Sequence, residues 1–347
     1  MDMKFDYVIG NPPYQEESGG DSTGTNPVYH YFFDSAISVS DYVELITPAR
    51  FLFNAGKTPK AWNEKMLSDR HFKVLMYSQD PNKVFPGVPI TGGVVVSCWN
   101  ANADYTPIGT FVPYDELRSI IEKVREYNHF TSIRDIIHVH SKFDLDKVIA
   151  RNNKYRSMIG SEGRDRRVRA NAMEKFDFFT EDRKSPTDVR VLGLIQNKRS
   201  YRYINRDLLE HDDWVDKYKV FVPESNGASG MLGEEAARII SKPVCGVPGD
   251  GVTQTFIVVG SMNTEYEADS LYKYIMSKFL RVLLGSLKAT QRNNAVTWEN
   301  VPLQNFTSTS DIDWSQPIPD IDRQLYRKYG LTDEEIAFIE SHVKEMT

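Results

Sequence analysis

The chain has 347 residues, of which 40% are hydrophobic and 26% charged, the proportions of an ordinary globular protein. Its formal net charge of -6 excludes a uniformly basic protein that coats nucleic acid, and its length fits two domains or one large domain with an appendage. The two cysteines form no CxxC pair, which excludes a disulfide scaffold and a cysteine-rich zinc module. Because the sequence shows neither a signal-peptide pattern nor a long apolar run, we expect a cytoplasmic protein.

The first hundred residues alternate between short apolar runs and helical patterns. Strands are predicted at 5–9, 41–47, 72–77 and 90–99, and helices at 28–39 and 57–69. The first strand ends at Gly10-Asn11-Pro12-Pro13-Tyr14, because proline cannot continue a central strand. Strands rich in valine and isoleucine that alternate with helices predict an α/β sheet covered by helices on both faces.

The pattern changes after about residue 115. Helices are predicted at 114–127, 265–287 and 332–345, and strands near 190–204 and 217–222. The last helix begins with a capping box formed by Thr332 and Glu335. We expect an α/β domain over 1–112, an α+β domain over 113–310 and a C-terminal helical segment over 311–347.

The tetrad Asn11-Pro12-Pro13-Tyr14 directly after a strand carries the strongest chemical signal. An exocyclic amine could donate one hydrogen to the side-chain oxygen of Asn11 and one to the Pro12 carbonyl. Its ring could stack on Tyr14, at about 1–3 kcal/mol per stacked base. The two acceptors would draw the nitrogen lone pair out of conjugation and toward an electrophilic methyl group. The alternative is a proline turn without catalytic meaning, but the surrounding pattern FDYVIGNPPY is far more restrictive than the tripeptide NPP.

FDYVIGNPPY resembles the catalytic motif of adenine-N6 DNA methyltransferases, most closely the type IIG restriction-modification methylases. The resemblance covers about residues 1–105 and implies a partial Rossmann-like methyltransferase sheet followed by a target-recognition domain. It assigns Asn11, Pro12, Pro13 and Tyr14 to catalysis. It also implies that an aromatic residue holds the other face of an extruded adenine, and Phe85 in VFPGV matches that position. A plain core phenylalanine is the alternative for Phe85.

The family binds S-adenosylmethionine through a glycine-rich loop after its first strand, and here only ten residues precede Asn11. Two later glycine-rich segments, Gly246–Gly251 and Gly227–Gly230, lack the aromatic-Gly-x-Gly pattern. The sequence therefore resembles the second half of such an enzyme, and its cofactor-binding residues stay unassigned. Three explanations are open: a truncated chain or gene fragment, a split enzyme whose partner chain carries the cofactor half, or a remnant that only binds DNA.

Residues 151–206 form a basic island, with 15 lysines and arginines against 7 acidic residues. Such an island indicates either a surface that meets a polyanion or a solvated charged face. Together with the resemblance, the predicted contacts to double-stranded DNA fall in three clusters. They are Arg164, Arg166, Arg167 and Arg169; Lys198, Arg199 and Arg202; and Lys288, Gln291 and Arg292.

Two function hypotheses follow. The first is a site-specific adenine-N6 DNA methyltransferase of a restriction-modification system, which transfers a methyl group from S-adenosylmethionine to a flipped adenine. The second is a non-catalytic DNA-binding or target-recognition subunit that acts with a partner chain. His138 and His140 form an HxH pair without further ligands at metal spacing, so we expect no metal site.

Overall fold

The computed structural model describes residues 5–16, 25–226, 232–233, 235–288 and 292–346. The chain divides into two compact units, Met1–Asp115 and Glu116–Thr347. Both units mix helices with strands, so the expected combination of α and β structure is confirmed. In the described residues, no helix is long and apolar enough to cross a membrane.

The first unit holds a four-stranded sheet with two helices. Its elements are β1 (Val8–Gly10), α1 (Tyr29–Val39), β2 (Tyr42–Pro48), α2 (Lys60–Ser68), β3 (Phe72–Ser78) and β4 (Val94–Asn100). The strand order is β1-β2-β4-β3. β1 runs parallel to β2, and β4 runs antiparallel to both β2 and β3. All six predicted elements are present, although β1 begins at Val8 rather than at residue 5.

An aromatic core fixes α1 and α2 to this sheet. Phe33 of α1, Phe51 and Phe72 have no measurable exposure, and all three rings contact the Trp62 indole or one another at 5.3–6.2 Å between centroids. Alternate residues of β2 are buried, as expected for a strand whose one face meets the helices. This packing fixes both helices against one face of the sheet.

The second unit contains two sheets and a larger set of helices. The strands are β5 (Ile137–His138), β6 (Val189–Ile195), β7 (Lys198–Ile204), β8 (Tyr218–Pro223), β9 (Val244–Gly246), β10 (Asp250–Val252) and β11 (Phe256–Met262). They form one sheet of order β10-β6-β7 and another of order β5-β11-β8-β9. The helices are α3 (Asp115–Glu126), α4 (Leu145–Arg151), α5 (Lys154–Met158), α6 (Gly160–Gly163), α7 (Ala172–Lys175), α8 (Glu265–Met276), α9 (Lys278–Gly285), α10 (Ile318–Lys328) and α11 (Asp333–His342).

The prediction of one helix over 265–287 is wrong in one respect, because this segment forms two helices, α8 and α9, separated at Ser277. Ser277 has extended dihedral angles, and its hydroxyl accepts the Leu280 N–H as the N-cap of α9. The buried carboxylate of Asp322 accepts the N–H groups of Lys278 and Phe279 at 3.0 and 2.9 Å. A carboxylate from another helix thus stabilises a new helix N-terminus in the middle of a continuous apolar pattern. The capping box of Thr332 and Glu335 is confirmed at the start of α11.

Candidate functional site

The Asn11–Tyr14 tetrad leaves the carboxyl end of β1 as an extended segment. Its far end is held by a short pairing with the chain that leads into α1. The Val28 N–H donates to the Tyr14 carbonyl at 3.1 Å, and the Glu16 N–H donates to the Asn26 carbonyl at 3.0 Å. The tetrad is therefore fixed at both ends, by the sheet and by this pairing.

Three connections of the first unit leave the sheet at one end. β1, β2 and β3 all end there, because β1 pairs parallel to β2 and the last residues of β2 and β3 both pair with Val94 at the start of β4. The tetrad follows β1, a 3-10 helix over Ala49–Phe53 follows β2, and the segment with Phe85 joins β3 to β4. Ligands of open α/β sheets bind at the carboxyl ends of the strands, so this end is the candidate site.

Asn11 and Tyr14 differ in exposure. Asn11 is exposed, and its side chain interacts with the Tyr14 hydroxyl. The Tyr14 hydroxyl is buried and makes no hydrogen bond of normal geometry within the described part of the chain. Burial raises the pKa of Tyr14, and the neighbouring Asn11 side chain acts in the opposite direction. The phenol therefore stays neutral at physiological pH.

Phe85 lies in a loop and is half-buried, outside the aromatic core of the first unit. A turn presents it: the Phe85 N–H donates to the Pro81 carbonyl at 2.7 Å, and the Val88 N–H donates to the Phe85 carbonyl at 3.1 Å. Its ring contacts no other ring of the described residues. Its role as a base-holding residue stays a prediction, and its position at the same end of the sheet as Asn11 is consistent with it.

The described glycine-rich segment of the second unit does not fit a cofactor loop. Gly246 ends β9 and Gly251 lies within β10, so no helix follows that could present its N-terminus to a ligand. A Cβ atom at Gly246 would lie 2.5 Å from the Phe221 ring, and one at Gly251 would lie 2.7 Å from the Ser141 hydroxyl. These glycines are required by close packing. The other candidate, Gly227–Gly230, falls outside the described residues.

The arginines of the first predicted DNA cluster are largely matched by nearby carboxylates. Arg167 and Arg169 both bind the buried Asp165 carboxylate, and these ion pairs hold its pKa well below its usual range. Arg166 pairs with Glu210 at 2.8 Å, and Arg164 pairs with Glu162 at 3.0 Å. Glu162 and Asp165 already count among the seven acidic residues of the basic island, so within this cluster only the pairing with Glu210 lowers the charge that its composition indicates. Arg164, Arg166 and Arg167 remain exposed.

The second and third predicted DNA-contact clusters differ in the exposure of their residues. Lys198 and Arg199 are exposed, and Arg202 pairs with Glu181 at 2.8 Å. Lys288 is only 4% exposed, and its ammonium donates to the Ile239 carbonyl at 2.7 Å. The prediction that Lys288 contacts DNA is therefore wrong for this conformation, because the apolar interior encloses its charge. Arg292 is exposed, and Gln291 falls outside the described residues.

The second unit also contains a cleft of about 620 Å³ that sequence reasoning missed. One arginine from each predicted cluster lines it, Arg167, Arg199 and Arg292, together with His138 and His140. The sequence singled out the HxH pair and these arginines separately, but their positions, up to 154 residues apart, gave no reason to place them together. Among the described residues, no group of three or more histidine, cysteine or acidic side chains could hold a metal ion.

Comparisons with known proteins extend the resemblance that the motif predicts. Residues 1–85 match the model of the Eco57I restriction-modification methylase family. A protein of Mycoplasma pneumoniae described as an uncharacterized adenine-specific methylase is 32% identical over 103 residues, which are 29% of this chain and 24% of that protein. The chain thus spans about a quarter of the length of this curated relative. The resemblance to an adenine methylase of the restriction-modification type is confirmed for the first part of the chain.

Among solved structures, the type IIG restriction endonuclease BpuSI aligns with 92% of this chain and 50% of its own chain. The TM-score is 0.35 and the sequence identity is 10%.

Proposed function

We propose that this chain supplies the catalytic loop and the target-recognition part of a site-specific adenine-N6 DNA methyltransferase of a restriction-modification system. The observation that carries the proposal is the FDYVIGNPPY segment, which leaves Asn11 exposed at the carboxyl end of β1. The match of residues 1–85 to a methylase family supports it. A DNA substrate is consistent with the cytoplasmic location expected from the sequence.

The tetrad would act on an adenine extruded from the duplex, because the amine is inaccessible within the base stack. The Asn11 side-chain oxygen and the Pro12 carbonyl would accept the two amine hydrogens, and Pro13 would hold the backbone rigid. Tyr14 would stack on the ring, with Phe85 on the other face. Because a carbonyl acceptor gains strength as the nitrogen becomes cationic, these contacts stabilise the transition state more than the ground state.

S-adenosylmethionine is the methyl donor that the resemblance implies, and it supplies an electrophilic methyl group when bound. Since the described glycine-rich segment does not fit it, we propose that another protein segment completes its site. The exposed edge of the first sheet supports this: Phe5, Tyr7 and Ile9 are 53, 68 and 70% exposed on or beside β1. Strands of parallel sheets are normally covered on both faces, so this edge has the composition of a surface that another segment covers.

The test measures methyl transfer from tritiated S-adenosylmethionine to duplex DNA by the complex purified through a tag on this chain. We expect Asn11→Ala to abolish transfer and to leave DNA affinity intact, because affinity comes mainly from phosphate contacts elsewhere. Asn102→Ala is the matched control, since Asn102 is an exposed asparagine that follows β4 at the opposite end of the same sheet. A tenfold loss corresponds to about 1.4 kcal/mol. If Asn11→Ala kept more than about a tenth of the rate, the tetrad would be a structural turn, and the non-catalytic DNA-binding hypothesis would replace this one.

Substitutions of Tyr14 provide a second, independent test in the same assay. Tyr14→Phe removes only a buried hydroxyl that has no partner among the described residues, so we expect a nearly unchanged rate. Tyr14→Ala removes the aromatic face and is expected to lower the rate at least tenfold. Equal losses in the two variants would contradict a stacking role.

A further inference from the structure

Arg50 lies at the carboxyl end of the first sheet, although its sequence context gave no reason to assign it a role. It belongs to the 3-10 helix over Ala49–Phe53, which directly follows β2. The Ala49 N–H donates to the Gly93 carbonyl at 3.0 Å, and this bond ties the 3-10 helix to the connection that carries Phe85. Arg50 is therefore part of the same end of the sheet as the candidate site.

Two glycines hold the stem of the Arg50 side chain. A Cβ atom at Gly92 would lie 2.5 Å from Arg50 Cγ, and one at Gly56 would lie 3.3 Å from Arg50 Nε. Both glycines have a positive φ, +91° at Gly92 and +90° at Gly56, which residues with a Cβ atom rarely adopt. The close approach of two glycine backbones positions the stem, while Arg50 as a whole remains exposed.

Arg50 differs from Arg70, the other arginine among residues 1–115, in its lack of a counter-charge. Arg70 donates to both carboxylate oxygens of Asp104, at 2.5 and 2.9 Å. The Arg50 guanidinium makes neither a hydrogen bond nor an ion pair with a residue that the structure describes. Its planar set of donors is thus available to a ligand with two anionic oxygens.

Electrostatics place the Arg50 guanidinium near the start of α1. Burial raises the pKa of Tyr29, and the positive charge of Arg50 acts in the opposite direction. Tyr29 directly follows Val28, whose N–H donates to the Tyr14 carbonyl at 3.1 Å. Arg50 thus lies near the segment that holds Tyr14, and its stem contacts the connection that carries Phe85. These are the two aromatic residues proposed to hold the adenine ring.

We propose that the Arg50 guanidinium binds two anionic oxygens of a substrate, those of a phosphate that flanks the extruded adenine. An extruded base stays attached to its strand, so a base held between Tyr14 and Phe85 brings its phosphates to this end of the sheet. A stem that is already positioned loses little conformational entropy when the phosphate binds. The carboxylate of S-adenosylmethionine has the same pair of oxygens, and the experiment separates the two sources. The inference rests on the proposed function, because it takes DNA as the substrate.

The experiment measures, at several salt concentrations, the affinity of the complex purified through a tag on this chain for a 30-base-pair duplex. One adenine of this duplex faces an abasic position, because an unpaired base is extruded at the lowest cost. Arg50→Met keeps a stem between the two glycines and removes the charge. We expect it to weaken binding about three- to tenfold and to reduce the salt slope by about one.

Two further variants show whether the charge of Arg50 is responsible. Arg50→Lys keeps the charge without the planar pair of donors, so it should restore the salt slope and only part of the affinity. Arg70→Met is the matched control, since Arg70 is paired with Asp104 and precedes β3 at the opposite end of the same sheet. It should change neither quantity. The melting temperature verifies that each variant is folded.

Neutral methylphosphonate groups in place of the two phosphates that flank the adenine test the contact itself. They should weaken binding of the wild-type complex more than binding of the Arg50→Met complex, because the variant has already lost the contact. Calorimetry with S-adenosylmethionine tests the other source of anionic oxygens. We expect the wild-type and Arg50→Met complexes to bind the cofactor equally well.

Four results would overturn the inference. They are no binding of the wild-type complex to the duplex, equal salt slopes for Arg50→Met and Arg70→Met, an equal effect of the methylphosphonates on the wild type and Arg50→Met, and a weaker affinity of Arg50→Met for S-adenosylmethionine with unchanged DNA binding. The last result would assign Arg50 to the cofactor carboxylate. Loss of methyl transfer in Asn11→Ala, together with an unchanged salt slope in Arg50→Met, would keep the proposed function and reject this inference alone.

Discussion

Replacing Lys288 by methionine is expected to stabilise the second unit. Burial lowers the pKa of Lys288 from its ordinary 10.5 to about 7. The native state therefore binds fewer protons than the unfolded chain between about pH 7 and 10.5. In that window the stability of the wild-type protein rises with pH, and below about pH 7 the full cost of the buried ammonium is present.

The magnitude follows from the same shift. At about 1.36 kcal/mol per pKa unit, a fall from 10.5 to about 7 corresponds to at most about 5 kcal/mol below pH 7. Methionine has a similar length and no charge, so it removes this cost and loses one hydrogen bond worth about 1 kcal/mol. The Ile239 carbonyl keeps a donor, because the Asn226 side-chain amide also reaches it at 2.5 Å. We expect a net gain of about 1–3 kcal/mol at pH 7.

Urea unfolding at pH 6, 7, 8 and 9 measures this difference. The gain of Lys288→Met over the wild type should shrink as the pH rises, because the wild-type lysine becomes neutral in the native state. Lys344→Met, which changes an exposed lysine of the same unit, is the control and should show no such trend. A destabilised Lys288→Met protein, or a gain that does not depend on pH, would refute the reasoning. The variant should also bind DNA like the wild type, since the ammonium is enclosed.

Three further outcomes are expected. Lys219→Met should leave the free energy of unfolding at pH 7 within about 1 kcal/mol of the wild type, because removing an ammonium whose pKa burial lowers to about 8 offsets the loss of its three hydrogen bonds to backbone carbonyls. Two of these carbonyls, those of Val215 and Val247, keep the N–H groups of Gly249 and Asp250 as donors, and a change larger than about 3 kcal/mol would contradict this. Gly93→Ala should lower the free energy of unfolding by about 1–3 kcal/mol, because Gly93 has a φ of +84° and a Cβ atom would lie 2.4 Å from the Ser78 carbonyl oxygen; unfolding like that of the wild type would show that the loop relaxes freely. Calorimetry with millimolar S-adenosylmethionine should detect weak or no binding to this chain alone, whereas one-to-one binding at micromolar affinity would reveal a cofactor loop that the present assignment lacks.

The elements of the first unit could be predicted because local signals there agree with the tertiary structure. Proline and glycine mark the ends of the strands, and apolar residues at helical spacing mark α1 and α2. The candidate tetrad Asn11–Tyr14 was likewise visible, because the chemistry proposed for it depends on neighbours in sequence. The position of Phe85 at the same end of the sheet follows from strand order, which the sequence pattern alone does not contain.

In the second unit, several features depend on contacts between residues that are far apart in the sequence, and local sequence patterns cannot reveal them. The break at Ser277 depends on Asp322, a carboxylate 45 positions later in the chain, so no window around α8 and α9 reveals it. The burial of Lys288 depends on the backbone near Ile239. Similarly, three arginines of the basic island pair with carboxylates from outside it: Glu210, Asp216 and Asp250. Composition gives the number of charged residues, whereas the fold determines which of them form ion pairs.

The exposed edge of β1 has a consequence for the behaviour of the protein in solution. Phe5, Tyr7 and Ile9 lie on or beside β1, which among the strands described pairs with β2 on one side only. An apolar edge of this kind is a template for pairing with another chain. When the protein is produced without a segment that covers this edge, it is expected to self-associate as its concentration rises, and a lysine in place of Ile9 should keep it monodisperse. Self-association in solution is thus a measure of whether another segment covers the exposed edge of β1.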